Sequence, residues 1–328
     1  RIFFMGIRYL NSFLKKTCHK SIRTIDLNEL SNKRIVIDAS IYLYQFEGDG
    51  LLLDNMRRFI SVLQEYNIQP LFVFDGKPPV EKMKTIYHRR VQRRIATAEC
   101  AELVVRMQEN VLPDESNKLD AEYIKLRRCS VEITRDKTDS VKRLFDEHDI
   151  PYCTAPSEAD TICASMVLSK GFWGCMSDDM DMLVYGCSNI IRDVNIHTCT
   201  ARLYNLPEIL NDLNITYTDF KRICVISGTD YNTHHQTHQY NQKQLRVTDV
   251  DTSPRTNVVV WKNTEVPSNI TFYTAIKLFE RYQQTVKYPT MTFYGWLKHY
   301  LKFNLDYDAL ERVYNMFTIP RDNLPWVS

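Results

Sequence analysis

The sequence has no C-x-x-C pair, and its nine cysteines are an odd number. That argues against a disulfide framework and a thiolate zinc site, and for a reducing, intracellular compartment. No apolar run approaches the roughly 18–20 residues that a membrane span requires. The opening RIFF is too short for a secretory signal and is followed by no cleavage pattern. MGIRYL has Leu10 where a myristoylation motif places Ser or Thr. An excess of one charge sign is missing too. The formal balance is only +2, so global charge points to no partner. No repeat suggests a solenoid.

What is present suits a globular protein: 44% hydrophobic and 25% charged residues over 328 positions, enough for one large domain or two smaller ones. Several short apolar runs end in acids. RIVIDAS (34–40) reads as a buried strand running into Asp38, and PLFVFDGKPP (70–79) as a strand, then Asp75, then a Gly/Pro break. IPYCTAPSEAD (150–160) predicts a strand, a turn at Pro156 and a helix start capped by Ser157. FWGCMSDDMD (172–181) is a fourth strand ending in acids, and RICVISGTDYN (222–232) is an apolar helical or buried segment reaching Asp230. Helical stretches such as 54–66 and 157–169 lie between the runs. The alternation predicts an α/β fold with a mostly parallel sheet covered by helices. Ligands in such sheets bind beyond the carboxyl ends of the strands, which is where most of these acids would converge.

Three regions break the alternation. Residues 77–148 read as a helical insertion, 232–268 as a polar and flexible insertion, and 269–328 as a return to amphipathic helix. His234, His235 and His238 in the second region read as a polar loop rather than a metal site.

Seven carboxylates stand out: Asp38, Asp75, Glu158, Asp160, Asp179, Asp181 and Asp230. Hard cations such as Mg²⁺ take oxygen ligands and keep waters, so a two-ion site accommodates this many acids. Two such ions about 4 Å apart activate a water and stabilise a leaving oxygen in phosphodiester hydrolysis. Each motif also has a plainer reading. SEAD fits a capping box with Ser157 as N-cap, DDMD fits an acidic first helical turn, and IDAS and FDG fit ordinary strand exits. Capping does not explain acids at the ends of so many apolar runs. The stretch 77–94 sets seven Lys and Arg against Glu81, more than a solvated face needs and suited to phosphate.

In this order, MGIRYL, IDASIYLYQF, VFDGKPP, IPYCTAPSEAD, SDDMDMLVYG and ISGTDYN resemble the flap endonuclease branch of the XPG/Rad2 structure-specific 5′-nucleases over about residues 5–232, and more weakly over 269–282. The resemblance implies a Rossmann-like, PIN-related fold with a nuclease domain over 5–231, a helical arch over 77–148, and a C-terminal helical DNA-binding region over 269–328 holding a degenerate helix-turn-helix. It implies that Asp38, Asp75, Glu158, Asp160, Asp179, Asp181 and Asp230 hold two Mg²⁺, with Mn²⁺ able to substitute. Asp160 stands where the family usually has Glu, and Asp178 matches an acidic position that binds no metal. Lys82 and Arg89 would reach the scissile phosphate, Tyr44 would stack on a base (its plainer reading is a core aromatic), and Lys84, Arg90, Arg93 and Arg94 would hold DNA.

The implied activity is Mg²⁺-dependent 5′-flap cleavage of branched DNA in replication or repair, in the nucleus or wherever that DNA is copied, by a monomer. The alternatives are a 5′→3′ exonuclease of the same superfamily, a non-catalytic junction binder, and a PIN-type ribonuclease, which would not need the basic arch. Asn269 and Thr271 stand where the family's turn has glycines, which argues against its potassium site and its usual grip on duplex DNA. RDNLPWVS has no Gln-led double-aromatic motif, so a sliding clamp is not an expected partner. Because the family begins at Met-Gly near its site, translation from Met5 or removal of the leader is expected.

Overall fold

The structure, a computed structural model, describes residues 6–7, 9–108, 113–232, 270–286 and 291–319, and within these all side chains but those of 84 and 113–117. The histidines of the polar insertion, Asn269 and the RDNLPWVS tail lie outside the described residues. The chain forms two compact units, one built on Asn11–Ile215 with Gly6 and Phe317, the other on Thr216–Met316 with Ile7 and Leu10.

The first unit contains α1 (Leu10–Thr17) from its second residue on, β1 (Ile22–Asp26), β2 (Arg34–Asp38), α2 (Ala39–Gly48), α3 (Leu52–Glu65) and β3 (Gln69–Phe74). Then follow α4 (Met83–Met107), α5 (Pro113–Ser130), α6 (Arg135–Glu147), β4 (Tyr152–Thr154), α7 (Ala159–Leu168), β5 (Gly174–Met176), α8 (Asp181–Tyr185), β6 (Asn189–Asn195), β7 (Thr200–Asn205) and α9 (Leu206–Leu213). The strands make one seven-stranded sheet in the order β1-β7-β6-β5-β2-β3-β4. From β6 to β4 every pairing is parallel, whereas β7 pairs antiparallel with both β6 and β1. The mostly parallel sheet expected from the alternation is therefore present. Its antiparallel edge comes from strands such as IRTID and TARLYN, which carry too much polarity to stand out as apolar runs.

The central strands β2, β3 and β5 are buried on both faces over most of their length, as parallel sheets require. Ile35, Ile37, Phe72, Phe74 and Met176 join one core cluster with α2, α3 and α6. The alternating residues Val36, Val73 and Cys175 are just as buried but belong to the other face, where α7 packs against β2, β3 and β5. Tyr42, Phe59, Phe72 and Phe145 form a run of ring contacts through the first core, with Phe72 and Phe145 centroids 4.4 Å apart. Two elements within 77–148 thus differ in kind. Helix α6 buries Val141, Leu144 and Phe145 as a crossover helix of the sheet. Helices α4 and α5 instead pack mainly on each other. Their hairpin is tied back near its α5 end by Arg128, whose guanidinium meets Asp49 at 2.9 Å.

The second unit contains α10 (Tyr217–Ile226), α11 (Phe272–Thr285), α12 (Phe293–His299) and α13 (Tyr307–Met316). Phe220, Phe272, Phe279, Phe293 and Trp296 form its apolar centre. Thr271 caps α11 by accepting the Thr274 amide at 3.3 Å, so its side chain has a structural task of its own.

The chain runs outward from β2 to β3 and β4, then returns past β2 to β5 and β6. This reversal makes the β2/β5 boundary the topological switch point, where open α/β sheets bind ligands. A prediction tests the crossover role of α6: Phe145→Ala should cost about 3–5 kcal/mol of unfolding free energy. Urea denaturation measures it, and a loss below about 1 kcal/mol would place α6 outside the core.

Candidate functional site

The acids stand at the carboxyl edge of the parallel strands. Asp38 ends β2 and caps α2, accepting the Ser40 amide at 3.0 Å, and the Ser177 hydroxyl lies 3.5 Å from its other oxygen. Asp75 follows β3 and links two other loops. One of its oxygens accepts the Ser40 hydroxyl at 2.6 Å, and the other accepts the Ala159 amide at 2.8 Å. That second bond satisfies a free donor at the start of α7. Gly76 makes the approach possible: a Cβ there would lie 2.0 Å from the Ala155 carbonyl oxygen, and its amide donates to the Ser157 carbonyl at 2.6 Å.

This arrangement corrects the capping-box reading of SEAD. The N-cap position of α7 is Glu158, not Ser157, and no side chain of its own motif caps the helix. Asp75, distant in sequence, takes that role. Glu158 is left to pair with Lys82, Nζ to Oε1 at 2.5 Å, with both side chains largely enclosed.

In SDDMD the three acids part company. The Asp179 amide donates to the Ser177 hydroxyl at 3.2 Å, and the Asp181 amide donates to an Asp179 carboxylate oxygen at 2.9 Å as α8 begins. Both carboxylates are 2% exposed. The backbone of Gly6, at φ +75°, lies against them; a Cβ there would meet an oxygen of Asp179 at 2.6 Å and of Asp181 at 2.7 Å. Asp178 turns instead to β6, accepting the Asp193 amide at 2.9 Å, while Arg192 donates to its backbone carbonyl.

The electrostatics follow from this crowding. Burial, and then the charges of Asp75 and Asp179, push the Asp38 carboxyl well above the usual range, although the Ser40 and Ile41 amides oppose the shift. Asp160, in the first turn of α7, is likewise raised, first by burial and then by Asp179 and Asp38, with Lys82 opposing. Burial alone would lower the Lys82 ammonium, but Asp160, Glu158 and Asp179 more than compensate and hold it protonated. Asp38, Asp75, Glu158, Asp160, Asp179 and Asp181 are thus tied into one constellation by these bonds and fields. Asp230 belongs to the second unit, on a turn after α10 where Asn232 accepts the Thr229 amide at 2.6 Å and donates to the Val225 carbonyl at 2.7 Å.

The basic segment is helical. Lys82 closes a 3₁₀ turn (Val80–Lys82) leading into α4, and Arg89 and Arg93 recur at spacings of seven and four along its partly shielded face. Arg90 and Arg94 are exposed, as is Tyr44 on α2 at 44%, which sets aside the reading of Tyr44 as a core ring. Lys84 lies in α4, its side chain outside the described residues. Sequence pattern does not single out Ser40, Ser177 or Gly76, because a serine or glycine at a strand exit is common and its partner is remote in sequence.

Fit to a metal can be judged from the donors. All six acids offer hard oxygen ligands, the kind that Mg²⁺ and Mn²⁺ take. Burial, and then the charges of neighbouring acids, raises Asp38 and Asp160, and a single ammonium stands among the six carboxyl groups. Among the described residues no group of three His, Cys, Asp or Glu is gathered as a ready-made metal cage. Mg²⁺ does not demand one, since it keeps several waters and binds through a few carboxylates. The donor set fits hard divalent cations.

Comparison with known proteins follows the same residues. A model described as XPG N-terminal domain matches residues 5–96, and one described as XPG I-region matches 149–230. The chain is 33% identical over 247 residues to Flap endonuclease 1 of Encephalitozoon cuniculi, covering 69% of this chain and 68% of that protein. It is 30% identical over 246 residues to Flap endonuclease 1 of Glycine max, covering 69% of this chain and 62% of that one. The chain thus spans about two thirds or less of these relatives' lengths. Among solved structures, the catalytic core of Rad2 in complex with a DNA substrate superposes with a TM-score of 0.57 at 21% identity, covering 97% of this chain and 88% of that one, a likeness of fold.

The raised carboxyl of Asp160 gives a signed prediction. A carboxyl whose folded pKa lies above its unfolded value of about 3.9 destabilises the fold once pH exceeds that value. Asp160→Asn removes this penalty, so without divalent cations the variant should be more stable than the parent at pH 8. The advantage should fade as pH falls to about 4. Urea midpoints in a chelator at several pH values measure the difference, and a variant no more stable than the parent at pH 8 would contradict the electrostatic picture.

Proposed function

The chain belongs to the XPG/Rad2 family of flap endonucleases, and from that premise we propose that it is a Mg²⁺-dependent, structure-specific 5′-nuclease acting on branched DNA in replication or repair. The observation that carries the reading is the convergence of Asp38, Asp75, Glu158, Asp160, Asp179 and Asp181 at the switch point of the sheet, with Lys82 among them. These acids would hold two divalent cations. When bound, the ions would supply an activated water and charge stabilisation at the leaving oxygen.

The chain's own residues account for the rest. Asp75 and Gly76 lock the β3 exit against the start of α7, which fixes Glu158 and Asp160 relative to Asp38. Lys82 holds a proton firmly and carries a positive charge at the foot of α4. With Arg89 about two helical turns further along, it would steady negative charge developing on the phosphate. Arg89 and Arg93 share the partly shielded face with Lys82, so one surface of the helix would follow a phosphate backbone. Tyr44, exposed on the helix that Asp38 caps, would stack on a base near the cut.

The test is cleavage of a 5′-flap duplex with Mg²⁺. The parent should cut near the junction, Mn²⁺ should substitute, and a chelator should abolish cleavage. Asp179→Ala should lose at least about 100-fold in kcat with its folded spectrum intact, a loss on the scale of removing one group that stabilises transition-state charge. Asp178→Asn, whose carboxylate faces β6, should stay close to the parent. Retained cleavage by Asp179→Ala would remove that residue from the centre. Flap binding without cleavage in either metal would make the protein a junction binder, and preference for a recessed 5′ end would make it an exonuclease.

A further inference from the structure

Arg192, in β6, is only 8% exposed, and the nuclease reading gives it no task. Its setting is a costly one. It stands directly opposite Arg202 of β7, a like-charge pair across the ladder. Among the described residues, its Nε has no hydrogen-bond partner. A guanidinium withdrawn from water is unfavourable unless its donors are satisfied. Stability of the sheet alone does not account for this residue.

The contacts of its two terminal nitrogens suggest the reason. The guanidinium lies over the Tyr204 ring, 5.4 Å from its centroid, and that ring is held by its hydroxyl, which donates to Asn11 at 2.7 Å. From this seat one terminal nitrogen meets the Met180 sulfur and the other donates to the Asp178 backbone carbonyl. The two contacts fall on either side of Asp179. Alternate residues of the loop are thus divided: Asp178 and Met180 are held to β6, while Asp179 and Asp181 are left to the acid constellation. The Ser177 amide, donating to the Ile191 carbonyl at 3.1 Å, joins the same loop to the same strand. The β6–β7 register shifts between Arg192 and Asn195, an irregularity of the kind that re-aims a side chain beside a site. We propose that Arg192 is a positioning residue for the metal centre: its planar fork bridges the Asp178 carbonyl and the Met180 sulfur, and so holds Asp179 and Asp181 in the arrangement that divalent cations take. The inference rests on the metal centre of the nuclease reading and deepens it. Geometry carries the role, not charge, because a positive charge there repels the cations. A lysine keeps the charge but has a single nitrogen in place of the fork.

The experiment titrates the whole chain with Mn²⁺ in the absence of DNA, following the free-ion electron paramagnetic resonance signal. Arg192→Lys and Arg192→Met should each bind Mn²⁺ about 10- to 100-fold more weakly than the parent, the range found when a group that orients a metal ligand is lost. Met180→Leu removes one acceptor at nearly constant volume. It should weaken Mn²⁺ binding by less, and should add nothing further to Arg192→Lys, since both act through one contact. In chelator, all three variants should bind a 5′-flap DNA like the parent. The role is overturned if Arg192→Lys binds Mn²⁺ like the parent, or if Arg192→Met binds it more tightly, the outcome for a residue acting by charge alone. Equal losses of Mn²⁺ and flap binding would also overturn it, because the residue would then support only the fold. Should the Arg192 variants not fold, Met180→Leu decides, and an unchanged Mn²⁺ affinity in that variant overturns the proposal. A parent that binds Mn²⁺ but never cuts a flap would overturn the nuclease reading while the titration still decides the role of Arg192. A parent that binds no Mn²⁺ would overturn both.

Discussion

Like charges confined at the edge of a sheet set the terms for the rest of the first unit. Burying a carboxylate is costly unless something offsets its charge, and here several lie within each other's fields. The fold meets this in three ways. Backbone amides at Ser40, Ala159 and Asp181 donate to Asp38, Asp75 and Asp179. Protonation becomes easier at Asp38 and Asp160, and a lysine is drawn out of solvent to stand among the acids. The aromatic core under the sheet holds the strands whose ends carry the charges, so the apolar core and the repelling edge belong to one structure.

The local route to this arrangement is short. Parallel strands bring their carboxyl ends to one side, and the reversal at β2 places Asp38 beside the loop that follows β5. Asp75 then joins two loops through opposite oxygens. A single carboxylate thereby sets the spacing between the ends of β2, β3 and β4. Ligand chemistry proposed for this edge depends on that spacing more than on any one acid.

Much of this was legible in the sequence because a buried parallel strand is an uninterrupted apolar run, and its end is marked where an acid replaces it. RIVID and PLFVF declare themselves in this way, and so do Asp38 and Asp75. The antiparallel edge did not, since β1 and β7 alternate with Arg, Thr and Asn and resemble loop as much as strand. SEAD misled in one respect. Its spacing is that of a capping box, but the free amide of α7 is met by a residue 84 positions away, a choice made by tertiary packing. The Lys82–Glu158 pair was hidden for the same reason. The difference between α6, which enters the core, and the α4–α5 hairpin, which does not, could have been found from the closer apolar spacing of Val141, Leu144 and Phe145.

Lys82 gives the constellation a further property. Its ammonium is a counter-ion delivered on a tether, and the tether is the 3₁₀ turn at the start of α4. A free ion equilibrates with bulk solution, whereas a tethered one arrives or leaves only as its segment moves. Neutralisation of the acids and attachment of the helix are therefore one thermodynamic variable. Whatever loosens that turn leaves Glu158 and Asp160 less compensated, and whatever neutralises those acids from outside frees the turn to move, with equal coupling in both directions.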